Sequence, residues 1–171
     1  MKRNTYHITL FGVIFTLVAQ ATIKPDRIEV YKQTRQGDLS LHIFEPPRDL
    51  KHKSAPAIVF FFGGGWAGGT PKQFYQQAVE FSSKGFMAFS AEYRVSGTHK
   101  TTPFECVEDG KSAVRWIREN AETLGIDPNR IVSAGGSAGG HVAACTGTIK
   151  GYEVGNIEIS SVPNAMILYN P

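Results

Sequence analysis

From residue 57 onward, short apolar runs alternate with longer stretches in which apolar positions recur every three or four residues. Continuous apolar runs of strand length are typical of strands that are buried on both faces. They predict strands over residues 57–62, 86–93, 130–133 and 164–169. The alternation of strands and helices predicts an α/β fold, in which a mostly parallel sheet carries helices on both faces.

Three helices are predicted between these strands. Thr70-Pro71 and Thr102-Pro103 each place an N-cap residue before a proline in the first turn. The first helix is expected to end near residue 84 and the second near residue 124, each followed by glycine. The third begins beyond Ser137 and runs to about residue 150.

Two β-rich runs precede this pattern, over residues 27–34 and 39–44. Gly37-Asp38 lies between them and is typical of a hairpin turn. The N-terminal part therefore predicts an antiparallel hairpin at one edge of the sheet.

The first 21 residues resemble a secretory signal peptide. Lys2 and Arg3 precede an apolar stretch over residues 8–18, and Ala19-Gln20-Ala21 has the pattern of a cleavage site. Because this stretch is too short for a stable membrane span, cleavage after Ala21 is favoured over an uncleaved anchor. We expect an exported protein, periplasmic or secreted, with one domain over residues 22–171.

Composition and charge narrow the function classes. The chain is 42% hydrophobic and 19% charged, as in a globular protein. Removal of residues 1–21 leaves 16 basic and 15 acidic residues, a net charge of +1. No periodic face clusters lysine and arginine, so no nucleic-acid partner is expected.

The two cysteines, Cys106 and Cys145, fall on separate predicted helices among small or apolar residues. Export would permit a disulfide, but two buried thiols are the favoured interpretation. The cysteines lack the spacing of metal ligands, and neither a metal nor a cofactor is expected.

The strongest chemical signal is Gly135-Gly136-Ser137-Ala138-Gly139, between a predicted strand and a predicted helix. A Gly-x-Ser-x-Gly sequence in this context predicts a nucleophile elbow with Ser137 at its tip. Side chains at Gly135 or Gly139 would force the strand and the helix apart. The alternative is a Gly/Ser turn that only connects the two elements.

A second glycine-rich segment, Gly63-Gly64-Gly65-Trp66, follows a buried strand. We expect the amides of Gly64, Gly65 and Ala138 to stabilise an oxyanion. A flexible loop is the alternative, and a phosphate-binding loop is disfavoured because no Lys-Ser/Thr pair follows.

Most of the other polar and aromatic residues near these motifs are expected to have structural roles. His141, four residues after Ser137, is expected to pack or to cap a helix, because its side chain points away from the elbow. Trp66 is a weak candidate for the rim of the substrate pocket, and Tyr93 is assigned to the core. Arg94 is expected to bind loop carbonyls, and Asp109 to be a structural partner.

Taken together, these motifs resemble the α/β-hydrolase superfamily, in its lipase/esterase branch related to hormone-sensitive lipase and bacterial sugar-ester esterases. The resemblance runs from about residue 39 to 171 and rests on residues 63–66, 93–94, 109, 113–117, 125–131 and 135–141. It implies that Ser137 is the nucleophile and that Gly64, Gly65 and Ala138 form the oxyanion hole. Phe62 departs from the histidine that usually precedes the glycines.

The resemblance also implies that the triad acid and histidine lie beyond the strand at residues 164–170, together with C-terminal strands that are missing here. The only acids and histidine after Ser137 are Glu153, Glu158 and His141, none placed after a later strand. The triad acid and His are therefore not expected in this chain, and the domain is expected to be incomplete.

The expected function is that of a serine carboxylic-ester hydrolase that forms an acyl-enzyme on Ser137. Short-chain esters or carbohydrate-linked esters, such as acetylated and feruloylated sugars, are the expected substrates. The alternative is a catalytically inert, truncated hydrolase remnant or a binding module, because a serine without a base is a poor nucleophile.

Overall fold

A six-stranded sheet organises residues 22–50 and 54–171, the part of the chain that this computed structural model describes. The strand order is β1-β2-β4-β3-β5-β6. Strands β4, β3, β5 and β6 run parallel, whereas β2 is antiparallel to β1 and β4. The bounds are β1 Arg27–Thr34, β2 Gly37–Phe44, β3 Ala55–Phe61, β4 Met87–Ala91, β5 Ile126–Gly136 and β6 Ala165–Tyr169. The mostly parallel sheet and the N-terminal hairpin are confirmed, whereas the predicted leader lies outside the described residues.

Helices cover both faces of the sheet. They are α1 Tyr75–Ser82, α2 Ser96–His99, α3 Pro103–Glu119, α4 Ala121–Leu124 and α5 Ala138–Thr148, with short 3-10 turns at Arg48–Leu50 and Pro71–Phe74. Successive residues of a strand point to opposite faces. Phe60 accordingly stacks on Phe74, just before α1, while Phe61 lies beside Gly110 of α3. The side chains of β3 thus fill the core between the sheet and both helix layers.

The second predicted helix and the predicted strand at residues 130–133 have different bounds in the structure. The helix expected to run to residue 124 breaks at Asn120, whose side-chain Nδ2 donates to the carbonyl oxygen of Trp116 at 2.8 Å. Such bonds compete with regular helix geometry. Strand β5 begins at Ile126, before the predicted start at residue 130, and residues 127–129 form a bulge in it, because Ala55 pairs with Ile126 while Ala57 pairs with Ile131.

Both cysteines are buried free thiols, as predicted. Burial, reinforced by the negative charge of Asp109, raises the pKa of the Cys106 thiol to about 12. Burial also raises the pKa of Cys145. Neither sulfur is therefore a reactive thiolate at neutral pH.

Strand β6 forms one edge of the described sheet and pairs with β5. Its side chains are unusually open for an apolar strand: Met166 is 40% exposed, Leu168 39% and Tyr169 43%. No helix in residues 22–50 and 54–171 combines the length and the apolar character needed to cross a membrane.

Candidate active site

Ser137 stands at a sharp reversal between β5 and α5. Its backbone has φ 52° and ψ −123°, a conformation that residues other than glycine rarely adopt. The Ser137 N–H donates to the carbonyl oxygen of Tyr169 at 2.9 Å, and the His141 N–H donates to the Ser137 carbonyl oxygen at 3.0 Å. These bonds hold the serine at the carboxyl end of the parallel strands.

The elbow is as crowded as its glycine spacing predicts. A Cβ atom on Gly135 would overlap the carbonyl oxygen of Gly139, and one on Gly139 would overlap the carbonyl oxygen of Phe61. These contacts are with backbone atoms, which cannot rotate out of the way. The glycines on either side of Ser137 are therefore required for the close packing of α5 on β3 and β5.

The second glycine-rich segment lies directly against the elbow. A Cβ atom on Gly63 would be 2.8 Å from the carbonyl oxygen of Gly136 and 3.3 Å from Cβ of Ser137. The chain then turns tightly, since the N–H groups of Ala67 and Gly68 donate to the Gly64 carbonyl oxygen at 3.1 and 3.2 Å. Among the described residues, no acceptor binds the N–H of Gly64 or Gly65.

An aromatic stack fixes the start of this glycine loop. The ring of Phe62 stacks on Tyr93 with 4.1 Å between centroids, and the Tyr93 hydroxyl donates to the Phe62 carbonyl oxygen at 2.5 Å. Burial raises the pKa of Tyr93, so the hydroxyl keeps its proton. The predicted core position of Tyr93 is confirmed, and its stack with Phe62 supports the start of the glycine loop.

His141 packs away from the serine, as predicted. Its ring meets the indole of Trp66 edge-on, with 5.3 Å between centroids, and its Nε2 lies 3.5 Å from Sγ of Cys145. His141 Nδ1 and Trp66 Nε1 are buried without a hydrogen-bond partner among the described residues. The Trp66 ring thus packs the glycine loop against His141 of α5. The contact between Trp66 and substrate stays a prediction.

The assignment of Arg94 to loop carbonyls is wrong. Its guanidinium donates two hydrogen bonds to the buried carboxylate of Asp109, from Nε to Oδ2 at 2.8 Å and from Nη2 to Oδ1 at 2.8 Å. The Arg94 backbone N–H and Lys32 Nζ donate to the same carboxylate at 2.9 and 2.6 Å. Hydrogen bonding to Asp109 raises the pKa of Arg94. The structural role predicted for Asp109 is confirmed.

A groove of about 370 Å³ lies beside the serine. Its lining residues come from the glycine loop, the turn before α1, the elbow and the end of β6: Gly63, Gly64, Gln73, Phe74, Gly136, Ser137, Tyr169 and Asn170. Gln73 gave no sequence signal, because it is an ordinary polar residue near a helix start and reaches the site only through the fold.

Ser137 Oγ makes no hydrogen bond within the described part of the chain. Glu153 instead pairs with Lys111 and Arg115 of α3, which gives this acid a structural role. Residues 22–50 and 54–171 contain no cluster of three or more histidine, cysteine or acidic side chains placed to hold a metal.

Comparisons with known proteins agree with this geometry. The BD-FAE family model matches residues 41–165. Esterase LipC of Mycobacterium tuberculosis is 36% identical over 101 residues, which cover 58% of this chain and 25% of that protein. Acetylxylan esterase of Xylanibacter ruminicola is 32% identical over 172 residues, covering 100% of this chain and 32% of that protein.

Among solved structures, the apo form of Thermogutta terrifontis esterase 2 matches with a TM-score of 0.84 and 44% identity. The match covers 91% of this chain and 59% of that one. Among the curated sequence relatives, by contrast, the matched part of this chain spans about a quarter to a third of each protein's length. Since the family match covers most of its residues, the chain belongs to the BD-FAE family and has the α/β-hydrolase fold of these esterases.

Proposed function

We propose that the whole protein is a serine esterase that uses Ser137 as its nucleophile. Ser137 Oγ attacks the carbonyl carbon of a carboxylic ester while a base takes its proton, and the alcohol leaves with a proton. Water then hydrolyses the acyl-enzyme and restores the serine. The observation that carries this proposal is the strained presentation of Ser137 beside the glycine loop.

The proposal assigns oxyanion stabilisation to the amides of Gly64, Gly65 and Ala138. Ala138 begins α5, so its N–H belongs to the first turn, where backbone donors lack partners within the helix. Gly64 and Gly65 offer their N–H groups from the loop that touches the elbow. Pre-aimed amides of this kind stabilise the negative oxygen that forms during acyl transfer.

Replacement of Gly64 by alanine tests the oxyanion assignment. Gly64 has φ 142°, and a Cβ there would overlap the Gly68 carbonyl oxygen, so the loop must shift and misplace its donors. We expect kcat/KM for ester hydrolysis to fall by about 10²–10³-fold. Gly68→Ala is the matched control, because a Cβ at Gly68 meets nothing within 4 Å. Equal activity of the two variants would contradict the assignment.

We further propose that residues outside this chain supply the base and the triad acid. This is supported by the free Ser137 Oγ in the described residues and by the greater length of the matching esterase, of which 59% is covered.

Export after cleavage at Ala21 is also proposed, from the sequence of residues 1–21 alone.

Short-chain or carbohydrate-linked esters are the proposed substrates. Two structures of Thermogutta terrifontis esterase 2 are described as bound to propionate and to butyrate. The match to an acetylxylan esterase over the whole chain supports acetylated carbohydrates as a second source of such esters. Short-chain esters and acetylated carbohydrates share a small acyl part.

Covalent labelling of the full-length protein with a fluorophosphonate tests the proposal. Thermogutta terrifontis esterase 2 is phosphonylated by cyclosarin and by sarin. We expect one adduct, located by mass spectrometry on the peptide that contains Ser137. A folded protein that takes up no label would instead support the inert remnant or binding module.

A further inference from the structure

Gln73 contacts the glycine loop and also lines the groove beside Ser137. It lies in the 3-10 turn Pro71–Phe74, and its side chain lines the groove. Its Oε1 accepts a hydrogen bond of 2.5 Å from the Gly63 N–H. Gln73 therefore contacts the residue directly before the proposed oxyanion donors.

The hydrogen bond to Gly63 fixes which way the Gln73 amide points. A backbone N–H can only donate, so the side-chain atom that faces Gly63 must be the oxygen. The NH2 group consequently faces away from Gly63. Within residues 22–50 and 54–171, no acceptor binds Gln73 Nε2. Gln73 is an exposed residue that lines both this groove and a neighbouring depression beside Gln76, so its amide donor is free to bind a ligand at the edge of the groove.

The surroundings of this donor suit an organic group with an oxygen atom. The rings of Phe74 and Tyr169 lie 6.1 Å apart between centroids and give the groove apolar walls, while Asn170 adds a second amide. A short acyl chain has no oxygen beyond its carboxyl group. In short-chain esters and acetylated carbohydrates, any further oxygen therefore belongs to the alcohol part of the ester.

We propose that Gln73 is a substrate-contacting residue that selects esters of hydroxylated alcohols. Oε1 holds Gly63 in place, while Nε2 donates to a hydroxyl or ether oxygen of the bound alcohol part. This inference rests on the proposed esterase function, because it concerns the substrate of the same site.

The test compares two acetates in the full-length protein: ethyl acetate, which has no extra oxygen, and 2-methoxyethyl acetate, whose ether oxygen can accept a hydrogen bond but cannot donate one. The readout is the ratio of kcat/KM for 2-methoxyethyl acetate to that for ethyl acetate. We expect Gln73→Met and Gln73→Glu each to lower this ratio about fivefold, as loss of one hydrogen bond implies. The loss is expected mainly in KM.

The two variants distinguish the role of Gln73 in substrate selection from its role in holding the glycine loop. Gln73→Glu keeps an oxygen for the Gly63 N–H but loses the donor, whereas Gln73→Met loses both. A shifted loop, or a new charge near the oxyanion, slows both esters alike and leaves the ratio unchanged. Gln76→Met is the matched control, because Gln76 is exposed on α1 and lies outside the groove.

The outcomes distinguish this inference from the function on which it rests. If the unmodified protein hydrolyses neither ester and takes up no fluorophosphonate, the proposed esterase function is overturned. If it hydrolyses both esters and the ratio is unchanged in both Gln73 variants, the role of Gln73 in selection is overturned.

Discussion

Replacement of Ser137 by alanine is expected to lower ester hydrolysis by the full-length protein by about 10⁴–10⁶-fold. The change removes only Oγ, the atom proposed to form the acyl-enzyme, and no other serine or threonine among the described residues lines the groove at the elbow. Alanine keeps Cβ, so the strained backbone at this position is retained. The unfolding midpoint should therefore change little. Initial rates with a short-chain aryl ester, together with a thermal melt, measure both quantities.

Ser83→Ala provides the matched control, since Ser83 is exposed and its hydroxyl donates to the Glu80 carbonyl oxygen. It should retain full activity. If Ser137→Ala kept more than about a hundredth of the activity, Ser137 would not be the nucleophile, because loss of a nucleophile costs far more than that.

The largest expected effect on stability comes from Asp109→Asn. Asp109 is fully buried and accepts hydrogen bonds from both Arg94 and Lys32. Asparagine keeps the shape but removes the negative charge, which leaves Lys32 without its counter-ion and Arg94 with only the partly exposed Glu108. Breaking a buried ion pair in this way costs about 3–5 kcal/mol. Urea unfolding of the full-length protein measures the difference.

Glu108→Gln isolates the effect of burial in the same cluster. Glu108 contacts Arg94 Nη2 at 3.2 Å, but its side chain is 31% exposed. Partly exposed ion pairs contribute about 0–1 kcal/mol. Similar losses from Asp109→Asn and Glu108→Gln would show that the buried carboxylate has no special role.

The elbow could be predicted from sequence because its cause is local. Glycines two positions before and after Ser137 permit the close approach of strand and helix, and the structure shows those approaches at backbone atoms. The glycine loop was predictable for the same reason. The sheet and its hairpin followed from apolar periodicity, which reports burial directly.

The remaining features depend on contacts between distant segments. Arg94 was misassigned because its carboxylate partner, Asp109, comes from a helix that begins nine residues later and packs back on the strand end. Gln73 was missed because its partner, Gly63, is brought near by the turn of the glycine loop. The break at Asn120 reflects a side-chain bond that propensity does not reveal.

The backbone of Ser137 implies a conflict between stability and activity. A non-glycine residue at a positive φ costs on the order of 1–3 kcal/mol, which the surrounding packing must offset. Glycine would relax this turn but would supply no hydroxyl. The residue best suited to the fold at this position is therefore not the residue best suited to the chemistry, and selection for thermal stability alone would favour loss of the nucleophile.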